Sequence, residues 1–400
     1  MIKIHQMKNL SPPLILSLLL GILFSGCNPA QPDQNEIIDL KPILSLEETK
    51  VNMSEFIKDF EYFRPEAKPG SFFSLMGILH VGPEIVVLYE KKTQQASIFS
   101  RAGKYIGKLG EVGKGPGEYK SASGGVFVFN KKKEIHISDK ERKRLLRFNF
   151  DGKFLGAVEY TATPRSMTIY QDEYYLCAYS NQDIIDSGGK DLVLRDPETF
   201  EELDVLYHRE DITDKKESVE MPYSLCFFRK IGEDLLFFRT TPAGDIVYEI
   251  RNKKVNPIMT LKFGELPLKE CLGFEGPDKI LILQVRNFGN YLQFAIQKDY
   301  ETFSGYLNWN DKSWSSFKFI NDLDKGLDFY PMGNTTDGGY FSDDFKIHYF
   351  TEFWEEMKLD KAYKSLDAKY PEREKWLEET IPTAQDDNPW IMLVYPDRDF

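Results

Sequence analysis

The chain has 400 residues, of which 42% are hydrophobic and 14% aromatic, with 63 acidic against 51 basic side chains and a formal charge of −12. That supplies a sizeable core but excludes a polytopic membrane protein, and the Phe and Tyr content favours pleated sheet. An acidic body repels phosphate backbones, so no nucleic-acid partner is expected.

The amino end reads as an export signal. Lys3 and Lys8 precede an apolar run from Leu14 to Phe24, about eleven residues, where a membrane span needs roughly 20. The run ends in Leu23-Phe24-Ser25-Gly26-Cys27. Small residues before a cysteine at that place resemble the bacterial lipobox, in which the thiol receives diacylglycerol; Phe24 departs from the aliphatic residue usual three positions before the cysteine. Asn28 to Asn35 is polar with two prolines and has nothing to pack. The expected division is therefore a signal peptide over 1–26, a lipidated Cys27 with a flexible tether over 27–53, and a folded body over 54–400. The anchor would be a lipid in the membrane.

From about residue 56, short β-rich runs alternate with turn residues. Examples are Ile85–Tyr89, Val126–Phe129, Ile135–Ser138, Leu145–Phe150, Tyr174–Ala178, Leu235–Arg239, Ile246–Ile250, Ile280–Val285 and Tyr291–Ile296. The spacing indicates an all-β sandwich, barrel or propeller. The basic runs Lys131–Lys133 and Lys140–Arg144 read as solvated hairpin turns and edges. Helical periodicity appears only between Thr351 and Glu379, giving a short helical insertion over about 351–380.

A repeat selects the propeller. Gly103 aligns with Gly152 at an offset of 49, which places Val86 on Ile135, Leu88 on Ile137, Glu90 on Asp139, Phe99 on Phe148 and Ile106 on Leu155. Each copy reads as one four-stranded blade. Degenerate copies follow from about Met167 to Tyr207, Ser224 to Phe263, Leu272 to Phe319 and Phe329 to Tyr349, so about six blades are expected. Phe56–Phe63 and Trp390–Tyr395 are the expected closing strands.

Motifs for chemistry are sparse. The glycine-rich run Gly110–Gly117 could cradle an anion on its amides, but it lacks the P-loop and dinucleotide spacings. It reads rather as a tight crossing between blades, stiffened by Pro116. His80, His136, His208 and His348 fall in different blades, with no His-x-His or His-Glu-x-x-His pair. Cys177, Cys226 and Cys271 have no metal-ligand spacing and read as small buried side chains, although one pair could form a disulfide. Acids such as Asp183, Asp186, Asp343 and Asp344 default to solvated loops. Tyr174, Tyr175, Tyr291, Trp309, Trp314 and Tyr330 lie near strand ends, where they could grip a ligand or pack between blades. No catalytic, cofactor or metal residue is assigned.

The run from Gly103 to Tyr119, with Gly110, Gly113, Gly115, Pro116, Gly117, Glu118 and Tyr119 at its end, resembles the hallmark of the six-bladed β-propeller lipoproteins of Bacteroidetes, which are related to NHL-repeat propellers. Asp139 to Leu155 resembles an NHL blade. Asn321–Gly326 with Phe329–Pro331, and Asp387–Trp390, resemble other recurrent segments of that group. The likeness spans about residues 56 to 396. It implies an all-β, six-bladed propeller in the cell envelope, lipid-anchored at the outer membrane, with its face left open.

The resemblance implies no activity. NHL-type propellers elsewhere mostly bind proteins, peptides or RNA, and a minority of six-bladed relatives are metal-dependent lyases or lactonases. The expected function is non-catalytic binding of a glycan, peptide or protein without a cofactor. The alternatives are a metal-dependent lyase or lactonase-type hydrolase, or a purely structural assembly factor.

Overall fold

The computed structural model describes residues 36–55, 57–68, 71, 76–90, 92–122, 125–209, 225–231, 234–240, 245–273, 276–320, 333–334, 340–342 and 391–396. Cys27, the signal segment, His348, Asp343, Asp344, Tyr330, the 351–380 insertion and the Asn321–Pro331 and Asp387–Trp390 segments lie outside these residues.

The described chain is nearly all β and forms a β-propeller. The first blade holds Met76–Val81, Ile85–Glu90, Gln95–Ser100 and Tyr105–Lys108. The second holds Val126–Phe129, Glu134–Asp139, Arg144–Asn149 and Phe154–Glu159. The third holds Ser166–Tyr170, Tyr174–Ala178, Lys190–Arg195 and Glu202–His208. The fourth is Cys226–Ile231, Asp234–Thr240, Asp245–Arg251 and Lys254–Phe263, and the fifth Leu281–Phe288, Tyr291–Lys298, Glu301–Asn308 and Trp314–Ile320. Each is an antiparallel meander whose first strand lies beside the first strand of the next.

Six blades were expected, and the described residues form five meanders of consecutive strands. In place of a further repeat stands a composite sheet in the order Gly333–Asn334, Tyr340–Ser342, Ile391–Pro396, Ile57–Phe63. The reason is closure: the last strand borrows its partner from the start of the chain, with Leu393 opposite Glu61 and Ile391 opposite Phe63. This pairing covers edges that would otherwise be exposed. Ile391, Leu393 and Phe63 then pack on Val86, Leu88 and Phe99 of the first blade.

The second strand of the first blade, Ile85–Glu90, is buried along its whole length, because both its faces meet other blades. The outer strand Phe154–Glu159 alternates half-buried and exposed residues, as a strand with one wet face must. Aromatic side chains fill the seams. Phe129 of the second blade meets Tyr175 of the third edge-on at 5.2 Å between centroids, and Tyr175 meets Phe200 at 5.8 Å. Each fully buried ring is worth about 1.5–3 kcal/mol of transfer free energy.

The tether expected over 27–53 is corrected from Glu36 onward. Glu36–Asp39 adds a parallel strand to the outer edge of the fourth blade, and Glu48–Asn52 adds another to the outer edge of the fifth. Between them Lys41–Ser45 makes a 3-10 turn. Polar composition concealed this strap, which is held by a few apolar residues: Ile38, Leu40, Ile43 and Met53 are 4%, 0%, 2% and 0% exposed. Trp314 donates its indole N–H to the carbonyl of Asp39 at 3.0 Å, and the Asp39 carboxylate accepts the amides of Lys41 and Gly264 at 2.9 and 2.7 Å. Strap and both blades share one core cluster.

Candidate functional site

The glycine-rich motif forms the crossing from the first blade to the second. Glu111–Val112 and Glu118–Tyr119 pair as a short parallel ribbon, and the Gly113 amide bonds the Tyr119 carbonyl at 3.0 Å. Gly110 sits at φ +65°, and a Cβ there would lie 2.6 Å from the Gly117 carbonyl oxygen, so the close approach requires glycine. The candidate anion site is taken from within: Gly115 donates to the Glu118 carboxylate at 2.6 Å, and a Cβ on Gly113 would fall 2.0 Å from that carboxylate. A carboxylate of the chain thus occupies the place a phosphate would take.

The rest of the motif locks the crossing down. Arg142 and Arg144 both donate to the Glu118 carbonyl, at 3.4 and 2.5 Å. The Tyr119 hydroxyl is buried and accepts the Ala96 amide at 2.8 Å, and burial pushes its pKa up to about 12. Pro116 lies within the same turn. These contacts make the motif structural.

The groups considered for chemistry are engaged in the interior. His136 is fully buried, with Nδ1 2.6 Å from the Tyr175 hydroxyl and Nε2 3.0 Å from Glu134. Glu134 also accepts two bonds from Arg147, at 3.0 and 3.1 Å, and contacts with His136 and Arg147 lower its pKa. An ionised Glu134 can only accept, so Nε2 carries the proton and Nδ1 accepts from Tyr175. Burial lowers the His136 pKa and keeps the ring neutral. His208 is exposed and His80 half-buried, and the described residues contain no group of three or more His, Cys, Asp or Glu placed to hold a metal.

Cys177, Cys226 and Cys271 are free thiols. Burial pushes Cys177 up to about 12 and raises Cys226 and Cys271, which disfavours the nucleophilic thiolate. Asp183 and Asp186 belong to the short helix Asn181–Asp186, whose first turn is capped by Ser180.

Most of the aromatic residues singled out are consumed by packing. Tyr175 is core, Trp314 meets Phe294 edge-on at 5.6 Å, and Trp309 lies under the Lys312 ammonium at 4.3 Å. Tyr174 carries Lys253 over its ring at 5.0 Å, and Tyr291 meets Phe317 edge-on at 5.5 Å.

A concave feature lies where the chain crosses from the second blade to the third. A cavity of about 160 Å³ is lined by Phe127, Ser138, Lys140, Tyr160, Thr163, Pro164, Arg165, Ser166 and Met167. Each element contributes for a local reason. Val126–Phe129 and Ser166–Tyr170 are neighbouring inner strands. Ser138 is the penultimate residue of the second strand of its blade, with its amide on the Gly125 carbonyl at 3.0 Å. The Tyr160 amide bonds the Lys143 carbonyl at 2.9 Å, and its ring packs on Phe200. The Arg165 amide bonds Ala178 at 2.9 Å, which fixes the start of the third blade.

No acid lines this cavity. The adjacent Asp139 is buried and already held by Arg142 at 3.3 Å and Arg144 at 3.5 Å. Sequence reading missed the site because its residues come from separate elements and belong to no motif. It also missed Arg239, which is 2% exposed and ties the fourth blade to the third through the Tyr179 carbonyl and the Asn181 side chain at 3.0 and 2.9 Å.

The family model described as "Domain of unknown function (DUF4934)" matches residues 35–395. Among solved structures, a Bacteroides fragilis protein provisionally named as exported is similar at 16% identity with a TM-score of 0.59, covering 90% of this chain and 99% of its own. A member of the DUF4221 family from Bacteroides vulgatus is 10% identical with a TM-score of 0.42, over 65% of this chain and 84% of its own. Virginiamycin B lyase from Staphylococcus aureus is 11% identical with a TM-score of 0.37, over 71% and 81%. The likeness to the Bacteroides fragilis protein shows the fold alone. No curated protein matches the sequence.

Proposed function

Because the chain belongs to the family described as "Domain of unknown function (DUF4934)", we propose that it is an exported propeller, lipid-anchored through Cys27 in the cell envelope, which binds a ligand and does not transform it. The observation that carries the binding reading is the cavity at the crossing between the second and third blades. It combines four hydroxyl-bearing residues, an aromatic ring and two cations. Polar groups set around a partly apolar hollow suit recognition. Of the candidate bases and nucleophiles, His136 has both ring nitrogens in hydrogen bonds and the Cys177 thiol is held up by burial.

The export reading is supported by the apolar run ending at Cys27, and the provisional name of the Bacteroides fragilis relative agrees with it. The NHL-like reading of the Asp139–Leu155 hairpin belongs to the same proposal.

A glycan and peptide array probed with the full chain tests the binding reading. Selective retention is expected. Turnover of a lactone, ester or peptidyl substrate that stops on chelation would replace it with the metal-dependent lyase or hydrolase reading. Mass spectrometry of the mature amino-terminal peptide tests the anchor: an acylated Cys27 is expected, and Cys27→Ser abolishes it.

A further inference from the structure

We propose that the cavity between the second and third blades is a site for one anionic sugar residue, a six-membered ring bearing a carboxylate or a sulfate. This rests on the binding reading above and names its ligand class.

Size comes first. The cavity measures about 160 Å³, close to the roughly 150 Å³ that accommodates a benzene-sized guest. A hollow of that size seats part of one substituted ring, the rest reaching solvent, and is too small for an extended peptide.

Charge comes second. The chain carries 63 acids against 51 bases, yet the lining holds Lys140 and Arg165 and no acid. The neighbouring carboxylate of Asp139 is held by Arg142 and Arg144. The lining itself thus offers two cations and no carboxylate, which suits an anion better than a cation. The Arg165 guanidinium presents the planar fork that matches carboxylate or sulfate oxygens.

The remaining lining decides between anions. Ser138, Tyr160, Thr163 and Ser166 set four hydroxyls around one hollow, each able to donate and accept. Burial raises the Tyr160 pKa, so that hydroxyl keeps its proton. A ring carrying several hydroxyls suits a lining rich in hydroxyl groups. Phe127 supplies a flat apolar surface for the C–H face of a sugar.

The test uses the full chain in detergent micelles, titrated calorimetrically with D-glucuronate, D-glucose 6-sulfate, D-glucose and an acetylated dipeptide with a free carboxylate. The chain and its Arg165→Gln and Lys140→Gln variants are compared. Both side chains are exposed, so the fold stands. Expected results are binding of one or both anionic sugars, neutral glucose weaker by about tenfold or more, and a loss of at least about threefold in each variant. Affinity also falls as salt rises.

The proposal is overturned if glucose binds as well as the anions, if the dipeptide binds more tightly than the sugars, if both variants bind like the parent, or if no sugar binds at about 10 mM. Array binding that survives both substitutions would overturn this site and leave the binding function standing. Turnover in place of binding would overturn the function itself.

Discussion

His136 and Tyr175 meet across the seam between the second and third blades, Nδ1 to hydroxyl at 2.6 Å, both wholly buried. The bond requires a neutral imidazole. Its pKa is held below the ordinary 6.5 by burial, so the unfolded chain takes up a proton before the folded chain does. This contribution to stability is complete above about pH 6.5 and declines as pH falls below it. Urea titrations from pH 8 to 5 should show a steeper loss for the wild type than for His136→Gln. Equal slopes would contradict the account. Tyr175→Phe, which leaves Nδ1 unpaired, is expected to cost about 1–3 kcal/mol at pH 7.

Asp245 has the opposite sign. It is 1% exposed, accepts the Lys269 amide, and burial pushes its pKa from 3.8 up to about 6. The folded state binds the proton more tightly than the unfolded state does, so the penalty is present above about pH 6 and is relieved as pH falls toward 3.8. Asp245→Asn keeps an acceptor for Lys269 and removes the buried charge. It should raise the denaturation midpoint at pH 7, by up to about 3 kcal/mol, and change little at pH 4. A lower midpoint at pH 7 would show that the carboxylate is stabilising.

Glu118→Ala empties the place that its carboxylate fills. The Gly115 amide loses its acceptor, at a cost of about 1–3 kcal/mol. The vacated Gly115 amide is then open to an anion, so inorganic phosphate should raise the melting temperature of this variant and leave the wild type unchanged. Thermal scans with phosphate against chloride at matched ionic strength read this directly.

Gly305 leaves the slot into which the strap inserts. A Cβ there would sit 2.8 Å from Ile43 Cγ1 and 3.2 Å from Leu46 Cδ1. Gly305→Val should displace the 3-10 turn and destabilise the protein by about 1–3 kcal/mol. Limited proteolysis would show new cleavage between Lys41 and Lys50 in the variant. An unchanged digest would mean that the strap tolerates the side chain.

What could be read from the sequence was the part that repeats. Val86 and Ile135, Leu88 and Ile137, and Phe99 and Phe148 were aligned, and all six are buried. Glu90 and Asp139 were aligned as acids, and both are buried. Ile106 and Leu155 were aligned on outer strands, and both are exposed, at 38% and 46%. Periodicity carries this information because each blade solves the same packing problem.

The strap, the cavity and the Arg239 bridge were not legible. Each depends on pairing between distant segments, which local alternation does not encode. The closing pair was legible, since Ile57–Phe63 and Ile391–Pro396 do pair, but the sheet they complete is a composite and not another repeat, so the count of six blades did not hold.

The strap has a mechanical consequence. Its two strands run parallel to the blade edges they join, so a pull on the amino side of Glu36 is directed along the strand. The ladder bonds of Glu36–Asp39 then share the load in shear instead of parting one by one. Behind them Trp314 and the buried Ile43 hold the next segment. Resistance to such a pull is set by the rate of unfolding rather than by equilibrium stability. A protein held at this end would therefore distribute the strain over two adjacent blades before any one of them opened.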